Sequence, residues 1–113
     1  MNAHLTVLGA PPTRLLDAVS LAAYRIVQES LTNVQRHSCA TTVNVDMHYR
    51  AAALKIAVYD NGGEPPTAAG PRPGVGLAGM SERATALGGS LHAGPGPDGF
   101  RVEADLPYTI SRA

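Results

Sequence analysis

The sequence predicts an α+β fold, a two-layer α/β sandwich with a mostly antiparallel sheet of about five strands and helices on one face. Three observations predict it. One long segment, from Leu15 to about His37, carries apolar residues at helical spacing. Two later pairs of segments alternate apolar and polar residues, and each pair is joined by a short turn. The chain has 113 residues, which suits one compact domain rather than two.

His4 to Leu8 alternates and reads as an edge strand, broken by Gly9-Ala10-Pro11-Pro12. In the long segment Val19, Ala23, Ile26, Val27, Ser30 and Val34 fall on one side at about 100° per residue. Thr13 or Asp17 favours the helix start. Thr41 to Tyr49 is a half-buried strand: Val43, Val45, Met47 and Tyr49 point one way, and Thr42, Asn44, Asp46 and His48 the other. Arg50 to Ala53 turns the chain. Leu54 to Asp60 is the antiparallel partner, with Leu54, Ile56, Val58 and Asp60 inward.

Asn61 to Pro73 is a loop rich in Gly and Pro. Leu77 to Leu87 is a short helix stopped by Gly88-Gly89. Ser90 to Ala93 is a strand and Gly94 to Gly99 a turn. Phe100, Val102, Ala104 and Leu106 form the apolar face of the last strand. The tail after Pro107 is expected to fray. One domain, 1–113, thus has its core at residues 4–107, a lid loop at 62–76 and a tail at 108–113.

Composition excludes several classes. Apolar residues make up 44%, and with no Trp and one Phe the core must be aliphatic. Nine basic and nine acidic residues leave no net charge, so no basic surplus points to nucleic acid. Cys39 is the only cysteine, which excludes an internal disulfide and argues against a cysteine zinc site. No segment has the roughly 20 apolar residues of a membrane span, and no signal-peptide pattern opens the chain. A cytoplasmic domain without membrane contact is expected.

Three constellations can carry chemistry. Glu29, Asn33 and His37 are spaced by four, each rotated only about 40° from the last, along the border of the apolar stripe. Glu29 and Asn33 offer the hard oxygens magnesium prefers, with Arg36 nearby; an ordinary polar helix edge has the same spacing. Asp60 lies inward at a strand end, where a carboxylate needs a hydrogen-bond donor. An adenine amine is one such donor, while Asp60-Asn61-Gly62-Gly63 is also good turn chemistry. Gly74-Val75-Gly76-Leu77-Ala78-Gly79-Met80 combines close backbone approach with a helix start, which suits phosphate, or serves as a plain flexible loop. Its spacing matches a dinucleotide fingerprint, but no strand directly precedes it. His4, His48 and His92 form no ligand set with His37 and read as surface residues. Met80 reads as core.

The run Ala23-Tyr24-Arg25-Ile26-Val27-Gln28-Glu29-Ser30-Leu31-Thr32-Asn33-Val34-Gln35-Arg36-His37-Ser38 closely resembles the N box of sensor histidine kinases. It is most similar to the subgroup paired with helix-turn-helix response regulators. Asp60-Asn61-Gly62 resembles the family's first glycine box and Gly74 to Met80 the second. Glu82-Arg83, Leu87-Gly88-Gly89-Ser90-Leu91, Gly94-Pro95 and Gly99-Phe100-Arg101-Val102 complete the similarity, which covers about residues 14–107.

The resemblance implies the ATPase fold shared by gyrase, a heat-shock chaperone, histidine kinases and a mismatch-repair protein. It implies ATP and Mg2+ as cofactors. Asn33 would bind the metal, and Glu29 would hold or polarise water near it as the catalytic residue. Arg36 or His37 would face the phosphates, and Asp60 would accept from the adenine amine. Gly62 would let the base approach. Gly74, Gly76, Leu77 and Gly79 would shape the lid hinge and phosphate wall. Glu64 departs from the family, which usually has Gly there, and the lid from Glu64 to Pro73 is short and holds Pro65, Pro66, Pro71 and Pro73. The family's acceptor histidine sits on a separate helical hairpin, whereas only His4 precedes the domain here. The expected partners are that dimerisation and phosphotransfer domain and a response regulator. Two other readings are a stand-alone serine kinase of the anti-sigma-factor type, and a degenerate interaction module for which Glu64 is the best argument.

Overall fold

The computed structural model describes residues 2–12, 17–37, 40–62, 77–95 and 99–108, of which His37 is described in its backbone only. The elements are β1 (Asn2–Leu8), α1 (Asp17–His37), β2 (Thr42–Tyr49), β3 (Ala53–Asp60), α2 (Leu77–Ala86), β4 (Ser90–Pro95) and β5 (Phe100–Pro107). The strands form one sheet in the order β1-β2-β3-β5-β4. Three of its pairings are antiparallel and one, β1 with β2, is parallel. The parallel pair follows from α1, which carries the chain back before β2 begins.

The expected alternation holds. Val43, Val45, Leu54, Ile56, Val58, Val102, Ala104 and Leu106 are buried under the helices. Val19, Ala23, Ile26, Ser30 and Val34 of α1 are buried against them, as are Met80 and Ala84 of α2. Burying an aliphatic side chain contributes about 1.5–3 kcal/mol, so this stripe, more than helix propensity, holds α1 to the sheet. The helices run antiparallel. Ser30 donates to the Met80 sulfur at 3.7 Å, while Ala22 and Arg25 share a crevice with Arg83 and Leu87. The start of α2 therefore lies beside the second half of α1.

Four details differ from the sequence expectation. β1 is an edge strand as expected but is exposed along its whole length, with Leu5 65% accessible. An apolar groove of about 440 Å3 lies between it and α1, lined in part by Leu5, Tyr24, Val27 and Met47. β4 extends through Gly94 and Pro95, which were expected in the turn. An edge strand tolerates Pro95 because the amide it lacks need not meet a neighbour on that side. α2 ends at Ala86, and the Gly88 and Gly89 amides donate back to Thr85 and Ala84 carbonyls. Tyr108, placed by sequence in a frayed tail, is buried, and its hydroxyl donates to the Arg50 carbonyl at 2.7 Å. A phenol with both an apolar slot and a partner is held more firmly than its position predicts. Burial, followed by the neighbouring Tyr49, raises the Tyr108 pKa above 10.0. The proposed lid, apart from Gly62, lies outside the described residues.

Candidate functional site

β3 ends at Asp60, whose side chain is 4% exposed. Sequence alternation turned it inward, and the structure supplies its donors. Asp60 Oδ1 accepts from the Gly62 amide at 2.7 Å and from the Phe100 amide at 3.3 Å. The first bond closes the Asp-Asn-Gly turn on itself, as Asp side chains do two residues on. Gly62 has φ +70°, a left-handed conformation that suits glycine, and this turn needs it. The second bond comes from the start of β5, forty residues along the chain.

Asn61 fastens the same turn from the other side. Its Oδ1 accepts from the Thr41 and Thr42 amides at 2.9 and 3.2 Å, and its Nδ2 donates to the Thr41 hydroxyl at 2.7 Å. The Asn61 amide also donates to the Thr42 carbonyl. Sequence reasoning treated Asn61 only as a turn former. It also missed Gly99, which lies against Asp60 and Gly62 so closely that a side chain there would meet both. The sequence marked Gly99 only as the end of a turn before a strand and as part of the run that resembles the family, with no role of its own.

One end of the molecule gathers these features. β3 ends there, β2 and β5 begin there, and α1 ends just before β2. Glu29 and Asn33 lie half-buried on the last part of α1, and Arg36 is exposed. Leu77 and Gly79, at the start of α2, are half-buried, and Met80 in the same turn accepts from Ser30 of α1. Gly74 and Gly76 lie outside the described residues, as does the side chain of His37. Among the described residues no cluster of three His, Cys, Asp or Glu could hold a metal alone. Magnesium keeps several waters and takes one or two protein ligands together with substrate phosphates. Asn33, with Glu29 one turn away, is suited to that part. The groove beside β1 contains none of these residues. His4, His48 and His92 are exposed, as expected.

The opposite sheet face carries a separate polar network. Tyr59 donates to Asp46 at 3.0 Å, Arg101 lies 4.9 Å from the Tyr59 ring centre, and Arg101 also pairs with Glu103. The bond to Asp46, then burial, then the Asp46 charge raise the Tyr59 pKa above 10.0, while Arg101 opposes them.

The site thus joins a two-layer sandwich with an inward Asp-x-Gly turn at the end of β3, and the family comparison gives its class: the nucleotide-binding ATPase domains. The family model described as histidine kinase-, DNA gyrase B- and HSP90-like ATPase matches residues 18–110, and the chain belongs to that family. The histidine-protein kinase/phosphatase UhpB of Salmonella typhimurium is 34% identical over 96 residues, which cover 84% of this chain and 19% of UhpB. The sensor histidine kinase YxjM of Bacillus subtilis is 37% identical over 90 residues, covering 79% of this chain and 21% of YxjM. The chain thus spans about a fifth of the length of the curated relatives it matches.

Among solved structures, the ATP-binding domain of PrrB from Mycobacterium tuberculosis aligns with TM-score 0.58 and 28% identity, over 92% of this chain and 80% of that one. Full-length ShkA in complex with AMPPNP aligns with TM-score 0.72 over 99% of this chain and 26% of ShkA. Its identity is 19%, so that likeness bears on the fold alone.

Proposed function

We propose that this chain is the catalytic ATP-binding domain of a sensor histidine kinase, which binds Mg-ATP and presents its γ-phosphate to a histidine on a separate dimerisation domain. The observation that carries the reading is Asp60, a buried carboxylate held at the end of β3 by two backbone amides in a chain of this ATPase family. Its Oδ2 accepts from the adenine amine, and Gly62 leaves room for the base. Asn33 contributes a metal ligand, and Glu29 orients water at the metal and phosphates. Arg36 or His37 faces the phosphates, and the amides at the start of α2, with Leu77 and Gly79, form part of the phosphate wall. Gly74 and Gly76 hinge the lid.

Phosphoryl transfer depends on positioning and charge neutralisation more than on covalent chemistry by the protein. In that division this domain supplies nucleotide, metal and lid, and the dimerisation domain supplies the nucleophile. The phosphorylated domain then serves a response regulator with a helix-turn-helix output, in the cytoplasm. The similarity to sensor kinases such as UhpB and YxjM supports this reading. Calorimetry of the 113-residue chain tests it. Heat is expected with ATP or ADP in the presence of Mg2+, and none with NAD. No heat with either adenine nucleotide at millimolar concentration would leave a degenerate interaction module.

A further inference from the structure

We infer that Gly99 is a positioning residue for nucleotide recognition: its missing side chain lets the start of β5 lie against the Asp60–Gly62 turn and hold the Asp60 carboxylate in place. The inference rests on the assignment of Asp60 to adenine and adds a second, distant segment of the chain to that site.

Gly99 is not needed for its backbone conformation. The positive-φ glycines among the described residues are Gly9, Gly62 and Gly88. What Gly99 supplies is clearance. A Cβ at this position would fall 2.5 Å from the Gly62 nitrogen and still closer to Asp60 Oδ1 and the Asp60 carbonyl oxygen. Side-chain ends can swing aside, but two of these three atoms are backbone. The turn or the strand must therefore move, and the bond from the Phe100 amide to Oδ1 spans that gap. Already 3.3 Å long, it does not survive a further separation of half an ångström or so as a good hydrogen bond. Oδ1 would then keep the Gly62 amide, which moves with its own turn, and lose the Phe100 amide, the bond that ties it to the start of β5.

Two other glycines supply controls. A Cβ at Gly94, on the same hairpin, would meet nothing within 4 Å. A Cβ at Gly89 would collide with the Asp105 carbonyl oxygen, at the opposite end of β5 from Phe100. Gly94→Ala tests the hairpin without a clash, and Gly89→Ala tests a clash remote from the carboxylate.

The experiment measures ATP and GTP affinity, with saturating Mg2+, for the 113-residue chain and these variants, each with a melting curve. Gly99→Ala should weaken ATP by about 10-fold or more and GTP by no more than about twofold, the span expected when one hydrogen bond to a charged group is lost. Gly94→Ala should change neither. Gly89→Ala should lower the melting temperature and leave the ATP-to-GTP ratio alone. In an Asp60→Asn background Gly99→Ala should change that ratio by less than about twofold, because residues acting through one contact are not additive. An unchanged ratio in Gly99→Ala, with a changed one in Asp60→Asn, overturns the inference and leaves the adenine assignment standing. An unchanged ratio in Asp60→Asn overturns both. If Gly99→Ala does not fold, hydrogen exchange of the wild-type chain decides. Mg-ATP should slow exchange at the Gly62 and Phe100 amides together, and an unaffected Phe100 amide rejects the inference.

Discussion

Replacing Asp60 by Asn removes one charge and keeps the shape of the side chain. Two backbone donors, the amides of Gly62 at 2.7 Å and Phe100 at 3.3 Å, converge on Oδ1. They require an acceptor, so the Asn oxygen takes that place and its NH2 takes the place of Oδ2. The amide cannot flip without facing two donors with a third. A donor therefore replaces an acceptor where the adenine amine is proposed to bind. A hydrogen bond to a charged group contributes about 1.5–3 kcal/mol, so ATP affinity should fall roughly 10- to 150-fold. Guanine carries a carbonyl where adenine carries the amine, so the Asn NH2 can donate to GTP. Preference for ATP over GTP should narrow or invert. Weaker acceptance at Oδ1 costs stability, while relief of the buried charge offsets part of it, so the variant should fold with a modestly lower Tm. Calorimetry with each nucleotide in saturating Mg2+, beside a melting curve, reads all of this. A folded Asp60→Asn protein with wild-type ATP affinity and an unchanged preference would refute the assignment and leave Asp60 a turn residue.

Asn33→Ala should weaken nucleotide binding strongly with Mg2+ and little without it, since the amide oxygen is the proposed metal ligand; equal losses in titrations with and without metal would reduce Asn33 to a helix-edge residue. The 113-residue chain incubated alone with radiolabelled ATP should acquire no acid-labile phosphate, because on the proposed reading the acceptor histidine belongs to the separate dimerisation domain. Label at His4, His37, His48 or His92 would contradict the proposed division of labour. Tyr59 gives a pH test. Its folded pKa is raised above the ordinary 10.0, chiefly by the bond to Asp46. Its stabilisation is therefore complete below the unfolded value and is lost as pH rises through the raised folded one. Melting temperatures of wild type and Tyr59→Phe should diverge least at the alkaline end of a series from about pH 9 to 12, and a gap that is constant across the series would exclude the linkage.

What the sequence disclosed is what depends on neighbours along the chain. The α1 stripe from Val19 to Val34 and the alternation of β2, β3 and β5 are local periodicities, and each holds in the structure. The inward face of Asp60 followed from the same alternation. Details set by contact between distant segments were not legible. Pro95 could join a strand only because β4 lies at the sheet edge, which is a property of strand order. Tyr108 is buried because Arg50, 58 residues earlier, offers its carbonyl. Gly99 matters through a turn that precedes it by nearly forty residues. The expectations for Gly74 and Gly76 lie outside the described residues.

The strand order has a consequence for how the domain is made. β5 is synthesised after β4 yet lies between β3 and β4. Until Phe100–Pro107 leaves the ribosome, β3 and β4 each present a bare edge of backbone amides and carbonyls, and Leu54, Ile56 and Val58 have no strand beside them on that side. Nascent chains at that stage are exposed to the wrong edge-to-edge pairing. The proposed adenine pocket, which needs the Phe100 amide, is completed at the same moment as the sheet.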